Sequence, residues 1–348
     1  MKNIPLIAQA IIYRNNCDKI EYLLIKRREK DGGFWQAITG HIRDGEKLVD
    51  GLVREIKEEI GVVDAMRISN CVETIQWTNK NNFVMTENVY VVNFSNEIII
   101  KLSEEHTDYK WCDFKEAYER LFHINNKNTF ELVNKLILNG KLIMPYLLYL
   151  EGMDLSGKTT VATRFAKTSN LNWNVNQGKL SQTNLIYDLG YELGKNGMYD
   201  SEILGYVYLA ALLSDIRNFK LNKNTIQDSF LLLKSLNYYI INGNDKMAQN
   251  FHNLILKHPK CDKSFYLTAD IVSRRQRLEL RIKYNPNEKL SANDLLIINN
   301  PNKFEQMDKS LMELSIKYFD SQIIDTSQTD VDEVVEILRN ACPFEKEK

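Results

Sequence analysis

The stretch from Leu142 to Lys167 restricts the fold of this chain more than any other part of its sequence. An almost unbroken apolar run, Leu142 to Leu150, leads into the glycine-containing loop GMDLSGKT, and the residues after the loop suit a helix. A run of this kind is typical of a strand buried on both faces, as the strands of parallel sheets are. Parallel strands need long crossovers that are usually helical, so we expect a mainly parallel α/β domain.

The loop itself fits the phosphate-binding pattern GxxxxGK[ST]. Its glycines let the backbone wrap around a phosphate with the N–H groups inward, and the following helix N-terminus adds a favourable partial charge. In such a loop Lys158 reaches the terminal phosphates and Thr159 binds Mg²⁺. A structural turn is the alternative, but the strand before the loop and the helix after it favour a nucleotide site. The residues expected to contact the nucleotide are Gly152, Ser156, Gly157, Lys158, Thr159 and Thr160.

The first 140 residues have a different pattern, with short strands, two helical stretches and polar turns. Asn139-Gly140 ends the second helical stretch, and 348 residues suffice for two domains, so we predict domains at 1–141 and 142–348. In the first domain we predict strands at Ile4 to Tyr13, Glu21 to Lys26, Cys71 to Trp77 and Asn88 to Phe94, and helices at Glu46 to Ile60 and Thr129 to Leu138.

The second domain is predicted to alternate longer helices with short apolar strands. The asparagine-rich stretch 285–303 is predicted to be an irregular connection. Helices are predicted at Tyr206 to Phe219, Phe230 to Ile241 and Ile271 to Lys283, and strands at Thr225 to Gln227, Ser264 to Thr268 and Ser321 to Ile324.

The charge balance and the cysteines narrow the class of protein. Forty-five Lys and Arg face 46 Asp and Glu, so we expect no nucleic-acid partner and no membrane-surface partner. The sequence contains no run of 18 or more apolar residues, so we expect no transmembrane helix. The five cysteines are scattered without a CxxC pair, which argues against a disulfide framework or a zinc site and favours a cytoplasmic setting. The five histidines are likewise dispersed, and we interpret them as surface or packing residues.

A stripe of carboxylates in the first domain carries the first chemical signal. On a helix, Val49, Leu52, Val53, Ile56 and Ile60 share one apolar face, and Glu55, Glu58 and Glu59 lie together along its border. Neighbouring like charges repel, so the cluster is unfavourable unless cations neutralise it. Oxygen-only ligands favour Mg²⁺ or Mn²⁺. A solvated helix face with an Arg54–Glu58 pair is the alternative.

The residues around this stripe resemble the Nudix hydrolases. The match comprises Gly40, five residues, Glu46, seven residues and then the string REIKEEIGV from Arg54 to Val62. The resemblance implies an α/β/α sandwich with a mixed sheet and hydrolysis of a phosphoanhydride in a nucleotide-like compound. It also implies that Glu58 and Glu59 are the main metal ligands, that Glu55 is a further ligand or base, and that Glu46 and Arg54 form a supporting ion pair.

Residues outside this motif extend the resemblance to dihydroneopterin triphosphate pyrophosphatases. The segments FWQAITG before the motif and EHTDYKW after it carry this similarity. By that resemblance Glu105 is an additional acid of the site, and Arg27 and Arg28 are basic residues for phosphates. Surface positions are the alternative for all three. Trp35 is expected either to stack on a base or to pack in the core.

The loop region EGMDLSGKTT of the second domain resembles that of thymidylate kinase and related nucleoside monophosphate kinases. The resemblance assigns acids at Asp154 and Asp228 and a basic lid helix whose Arg274, Arg277 and Arg281 fall within one narrow arc; a solvated basic face is the alternative. Ser229 stands where these kinases usually carry an arginine that holds the acceptor phosphate. Lys234 or Arg217 would have to replace that contact.

Together these features predict a bifunctional enzyme of nucleotide metabolism. The first domain would hydrolyse a nucleoside triphosphate or related anhydride with Mg²⁺, and the second would phosphorylate a nucleoside monophosphate with ATP. A housecleaning pyrophosphatase whose second domain only binds nucleotide is the alternative. Nucleotides are the expected partners, and a homodimer is an assembly compatible with relatives of both domains.

Overall fold

A computed structural model describes residues 5–16, 19–62, 64–79, 82–94, 97–181, 184–195 and 200–342. The strands are β1 (Leu6–Asn16), β2 (Lys19–Arg27), β3 (Trp35–Gln36), β4 (Ile38–His41), β5 (Met66–Ile68), β6 (Glu73–Thr78), β7 (Val84–Phe94), β8 (His106–Cys112), β9 (Leu147–Glu151), β10 (Asn174–Gly178), β11 (Lys220–Leu221), β12 (Thr225–Phe230), β13 (Lys263–Thr268) and β14 (Gln322–Asp325).

The helices follow the same chain order. They are α1 (Leu48–Ile60), α2 (Phe114–Arg120), α3 (Ile124–Leu138), α4 (Lys158–Thr168), α5 (Leu185–Lys195), α6 (Ser201–Asn218), α7 (Leu231–Ile241), α8 (Asp245–Ile255), α9 (Ile271–Tyr284), α10 (Ala292–Asn299), α11 (Pro301–Phe319) and α12 (Val331–Ala341), with a 3₁₀ turn at Glu29–Asp31. Within the described ranges, every helix is too short or too polar to cross a lipid bilayer.

The chain divides into two compact units, Met1–Pro145 with Lys220–Asn222 and Tyr146–Phe219 with Lys223–Lys348. The first contains a mixed sheet in which β7 pairs with β1 in parallel and β1 pairs with β2 and β4 in antiparallel fashion. One face of this sheet packs on α1 through Leu52, Ile56 and Ile60. The other face packs on α3 through Phe130 and Val133. The result is a three-layer α/β/α arrangement.

The sheet of the second unit has the order β10-β12-β9-β13-β14, and all of its pairs are parallel. All five residues of its central strand β9 are buried, in agreement with the apolar run that predicted it. The strand is shorter than that run and begins at Leu147 rather than at Leu142. A parallel α/β unit in this part of the chain is therefore confirmed.

Several predicted boundaries were wrong. Helix α1 begins at Leu48 rather than Glu46, and α3 begins at Ile124 rather than Thr129. The prediction of an irregular connection over 285–303 was also wrong, since it contains α10 and the start of α11. Ser291 and Asp294 form a capping box that starts α10, and Pro301 occupies the first turn of α11, where a missing N–H costs nothing.

Candidate active site

Helix α1 and strand β4 bring the motif residues of the first unit together. Residues Leu52, Ile56 and Ile60 recur on one face and are completely buried against the sheet that contains β4, which holds the neighbouring Glu55 beside that strand. A Cβ built on Gly40 would lie 1.8 Å from Cδ of Glu55, so only glycine permits this contact. At its end the helix is stopped by Gly61, which has a φ of 67° and donates its N–H to the Lys57 carbonyl.

Arg54 ties the loop before α1 to the helix. Its Nε and Nη2 donate to the two Glu46 carboxylate oxygens, both at 2.9 Å, and Nη2 also donates to the His41 carbonyl at 2.8 Å. The hydrogen bonds from Arg54 and from the Arg43 backbone lower the pKa of Glu46 to about 2. The two hydrogen bonds between Arg54 and Glu46 therefore hold the loop before α1 in place.

The same arginine reaches two of the three predicted metal ligands. Arg54 Nη1 donates to Glu55 Oε1 at 2.5 Å and to Glu58 Oε2 at 3.0 Å, and Arg43 contacts Glu58 Oε1 at 3.1 Å. Glu58 is about half exposed and Glu55 is mostly buried. Arginine charges thus balance these carboxylates in the structure, as the repulsion among them requires.

Glu59 differs from its neighbours because it is buried, with 6% of its surface exposed, and its Oε2 has no hydrogen-bond partner. Burial, followed by the charges of Glu55, Glu105 and Glu58, raises its pKa to about 8, and the charge of Arg27 acts in the other direction. A buried carboxylate oxygen without a partner is costly unless a cation or proton meets it. This donor set of oxygens alone fits a hard divalent cation.

The charge of Glu105 acts on Glu59, so Glu105 lies close to the motif. The Lys101 and Ser103 amides donate to the carbonyls of Ile60 and Glu59, both at 2.9 Å, and so hold the preceding loop against the end of α1. Nevertheless, no group of three or more His, Cys, Asp or Glu side chains in the described ranges is arranged to hold a metal ion. Of these carboxylates, Glu55 and Glu58 are engaged by arginines.

The basic and aromatic residues predicted beside the motif have separate environments. Arg27 carries a charge that acts on both Glu59 and His106, whereas Arg28 is paired with Asp31 at 2.9 Å. Trp35 packs against the core on the α3 side, with the Arg120 guanidinium 5.2 Å above its ring. His106 is buried with Nε2 unpartnered, and its burial lowers its pKa. Sequence reasoning interpreted it as a surface or packing residue.

A cavity of about 260 Å³ lies on the α3 side of the sheet. Trp77 lines it, whereas Trp35 does not. Thr39 also lines it, whereas the next residue on β4, Gly40, abuts Glu55 on the opposite face, so the sheet separates this cavity from the carboxylates. Sequence analysis missed this cavity because its residues come from β3, β4, β6, β7 and the start of α3, and only the sheet pairing brings them together.

The second unit presents its glycine loop between β9 and α4. Gly152 has a φ of 145°, and a Cβ on it would lie 2.2 Å from the Leu267 carbonyl oxygen. Leu155 and Gly157 also have positive φ values, 64° and 88°, so the loop has a tightly curved backbone. The buried Lys158 ammonium donates to the Met153 carbonyl at 3.0 Å, and burial together with Lys234 lowers its pKa to about 8.

Polar residues at the ends of β9 and β12 face the loop. Thr159 donates to Asp228 at 2.5 Å, and burial raises the pKa of Asp228. Ser229, which has a φ of 64°, donates to the buried Glu151 carboxylate at 2.8 Å. Ser229 therefore closes a buried network with Glu151 at the position where the resemblance to nucleoside monophosphate kinases implies an arginine. Ser156, Thr159 and Thr160 also lie on this loop or the first turn of α4, and only Ser156 of these three is buried.

The three arginines of α9 do not form a single exposed stripe. Arg274 is 1% exposed and donates to the Asp154 carbonyl at 2.5 Å and to Asp308 at 2.9 Å. Arg277 donates to the Leu155 and Thr326 carbonyls at 2.8 and 2.6 Å, and Arg281 pairs with Asp294. In this structure the Arg274 guanidinium is covered and contacts protein groups, and its predicted role in substrate binding stays a prediction.

Asp154 faces the basic residues of this region. Its carboxylate lies 3.8 Å from the Lys234 ammonium and accepts a hydrogen bond from the Asn293 amide at 3.0 Å. Burial acts to raise the pKa of Asp154, but Lys234, Asn293 and Lys158 outweigh it, and the pKa lies below its ordinary value. Lys234, one of the two residues considered as substitutes for the missing arginine, therefore lies beside the loop.

Comparison with known proteins identifies the first unit. A model of the NUDIX domain matches residues 5–133. The chain is 30% identical over 112 residues to the asymmetrical bis(5'-nucleosyl)-tetraphosphatase of Caenorhabditis elegans, which is 32% of this chain and 80% of that protein. It is 25% identical over 139 residues to the dihydroneopterin triphosphate diphosphatase of Escherichia coli K12, which is 36% of this chain and 90% of that protein.

Among solved structures, the C. elegans Ap4A hydrolase binary complex has a TM-score of 0.37 and 24% identity, covering 39% of this chain and 99% of that one. Two other relatives match this chain over only 28% and 13% of their own length. The predicted Nudix domain at the N-terminus is confirmed, and through this domain the chain belongs to the Nudix hydrolase family.

Proposed function

We propose that the N-terminal domain hydrolyses a phosphoanhydride of a nucleotide-like compound with the help of Mg²⁺ or Mn²⁺. The observation that carries this proposal is the buried Glu59 Oε2, which has no partner although Glu55, Glu58 and Glu105 act on it. The two enzymes compared above support it, since their names describe a nucleosyl tetraphosphate and a pterin triphosphate as substrates.

Each residue of the site has a role in this proposal. Glu55, Glu58, Glu59 and Glu105 would hold the divalent ion, and the Glu46–Arg54 pair keeps the loop before α1 in position. The bound ion supplies charge neutralisation for the phosphates and an acidified water. Arg27, which already balances Glu59, is suited to a substrate phosphate once the ion neutralises that carboxylate.

A panel of nucleoside triphosphates and dinucleoside polyphosphates tests this activity. The full chain should release pyrophosphate or a mononucleotide in the presence of Mg²⁺ and lose this activity in EDTA. Glu59→Gln should reduce kcat at least 100-fold, whereas Glu131→Gln, an exposed position on α3, should leave it unchanged. An enzyme that keeps its rate after Glu59→Gln would contradict the proposed role.

We further propose that the second unit transfers a phosphoryl group from ATP to a nucleoside monophosphate. The curved loop from Gly152 to Gly157, the buried Lys158 and the Thr159–Asp228 contact support this proposal. Gly152 has no room for a side chain because the Leu267 carbonyl fills that space, which keeps the start of the loop packed against β13. Asp154 and Lys234 are candidates for the acceptor side, and Arg277 and Arg281 for the transferred group.

Labelled ATP and a set of nucleoside monophosphates test the second activity. Lys158→Ala should abolish transfer, whereas Lys167→Ala, exposed on the same helix, should not. The regulatory alternative is favoured by Ser229, which occupies the position of the usual arginine with a closed hydrogen bond. If ATP raises the melting temperature of the chain but no monophosphate is phosphorylated, the unit is a nucleotide-binding module.

A further inference from the structure

Side chains from other parts of the second unit cover the carbonyl side of the glycine loop. Three consecutive loop carbonyls each accept a hydrogen bond from such a side chain. The pairs are Asp154 with Arg274 at 2.5 Å, Leu155 with Arg277 at 2.8 Å and Ser156 with Thr326 at 3.0 Å. Two of the donors lie on α9 and the third directly follows β14, so the loop is held by segments distant from it in sequence.

These contacts determine the direction of the loop N–H groups. In a trans peptide the C=O and the N–H of the next residue point to opposite sides. The N–H groups of residues 155–157 therefore point away from the three donors. Within the described part of the chain, none of these three N–H groups donates a hydrogen bond. Successive N–H groups that are turned to one side and not engaged are suited to an anion.

The backbone at Leu155 needs this support. Its φ of 64° lies in the left-handed region, which is unfavourable for a residue with a Cβ. The carbonyl of Leu155 and those of its two neighbours are the three that accept from the side chains. We infer that these hydrogen bonds keep the strained turn in the conformation that directs its N–H groups inward.

Two of the three donors are buried and are fixed by further contacts. Arg274 is 1% exposed and is also paired with Asp308 at 2.9 Å. Thr326 is 5% exposed, and its hydroxyl also lies 2.9 Å from the Thr268 carbonyl oxygen. Both side chains thus join the loop to the sheet or to α11, which is the arrangement expected of groups that hold a backbone in place.

We propose that Arg274 and Thr326 are positioning residues of the second unit. They hold the loop carbonyls outward, so that the N–H groups stay directed at the phosphates of a nucleoside triphosphate. Arg277, which is partly exposed, provides the third contact in this structure. This inference rests on the proposed binding of ATP by the second unit and does not require phosphoryl transfer.

Replacing Thr326 tests this role with a small change in shape. Thr326→Val removes the hydroxyl, whereas Thr326→Ser keeps it. The matched control is Thr329→Val, because the Thr329 hydroxyl donates to the Asp325 carbonyl at 2.8 Å and not to the loop. Titration calorimetry of the full chain with ATP and with tripolyphosphate in EDTA measures the Kd without metal-dependent hydrolysis. The binding that Lys158→Ala abolishes is assigned to the loop.

We expect Thr326→Val to weaken the binding of ATP and of tripolyphosphate by about 10-fold or more, because the Ser156 carbonyl loses its donor and the peptide is free to rotate. Thr326→Ser and Thr329→Val should stay within about 3-fold of the native Kd. A merely structural role would lower the melting temperature of Thr326→Val but leave both Kd values, measured well below that temperature, unchanged.

Native Kd values in Thr326→Val would overturn the inference, and so would equal weakening by Thr326→Ser. A native chain without Lys158-dependent binding would overturn it together with both functions considered for the second unit. If Thr326→Val does not fold, Arg274→Lys gives the same test, because a single ammonium cannot replace the fork that reaches the Asp154 carbonyl and Asp308. The expected binding pattern without phosphorylation of any monophosphate would support the inference and refute the proposed transfer.

Discussion

Replacing Gly40 by alanine tests how closely β4 and α1 are packed at the proposed site. The added Cβ would lie 1.8 Å from Glu55 Cδ and 1.9 Å from Cγ, whereas carbon atoms in contact are about 3.5–4.0 Å apart. The Glu55 side chain must therefore move by roughly 1.5–2 Å, and its bond to Arg54 at 2.5 Å must break. A displacement of about 1 Å in a catalytic group can reduce the rate about 100-fold.

The same overlap should destabilise the first unit. Overpacking of this kind costs about 1–3 kcal/mol, which corresponds to a decrease in melting temperature of about 3–10 °C for a domain of this size. Calorimetry of the full chain measures the stability, and pyrophosphate release under saturating Mg²⁺ measures the activity.

A double substitution distinguishes overlap from any other effect of alanine. In Gly40→Ala with Glu55→Ala the two side chains no longer collide, so the stability should return to that of Glu55→Ala alone while hydrolysis remains low. If Gly40→Ala leaves stability and rate unchanged, the packing of Gly40 against Glu55 does not exist in solution and the reasoning about the site is refuted.

Three further predictions follow from other parts of the structure. The pKa of Glu59 is raised from 4.5 to about 8, so without metal the stability of the first unit should fall as pH rises across that range. Glu59→Gln should remove this fall and should also remove the stabilisation by Mg²⁺. Melting temperatures in EDTA and in Mg²⁺ measure both effects. Burial lowers the pKa of His258 from 6.5 to about 4, so the free energy of unfolding of the second unit should decrease by up to about 3 kcal/mol as pH falls from 6.5 to 4. Urea denaturation should show this pH dependence in the native protein and not in His258→Gln. Equal pH dependence in both proteins would refute the prediction. Gly152→Ala should destabilise the second unit by several kcal/mol, because its Cβ would meet the Leu267 carbonyl oxygen at 2.2 Å. Gly194 has open space around it, so Gly194→Ala should change the melting temperature little. A Gly152→Ala variant with an unchanged melting temperature would contradict the described loop.

The parts of the fold that are encoded locally were predictable from sequence. The spacing of Leu52, Ile56 and Ile60 fixed the buried face of α1, and the apolar run before the glycine loop predicted the central strand of a parallel sheet. The capping signal at Ser291 was equally local, but the many asparagines around it obscured the helix that it starts.

Features made by distant residues could not be predicted in this way. Glu87 and Gln36 share a cavity only because β7 and β3 belong to one sheet, and nothing in either segment indicates the other. The arc of Arg274, Arg277 and Arg281 on α9 was predictable, yet their partners Asp308, Thr326 and Asp294 lie on other segments and determine what each arginine can reach. Helical spacing specifies direction, whereas partners depend on tertiary contacts.

The contacts from Arg274 and Arg277 to the Asp154 and Leu155 carbonyls have a mechanical consequence. These two peptide groups belong to the glycine loop, so any ligand that rotates them must also break or drag the guanidinium groups of α9. Amide hydrogen exchange along α9 should therefore change when a ligand binds at the glycine loop.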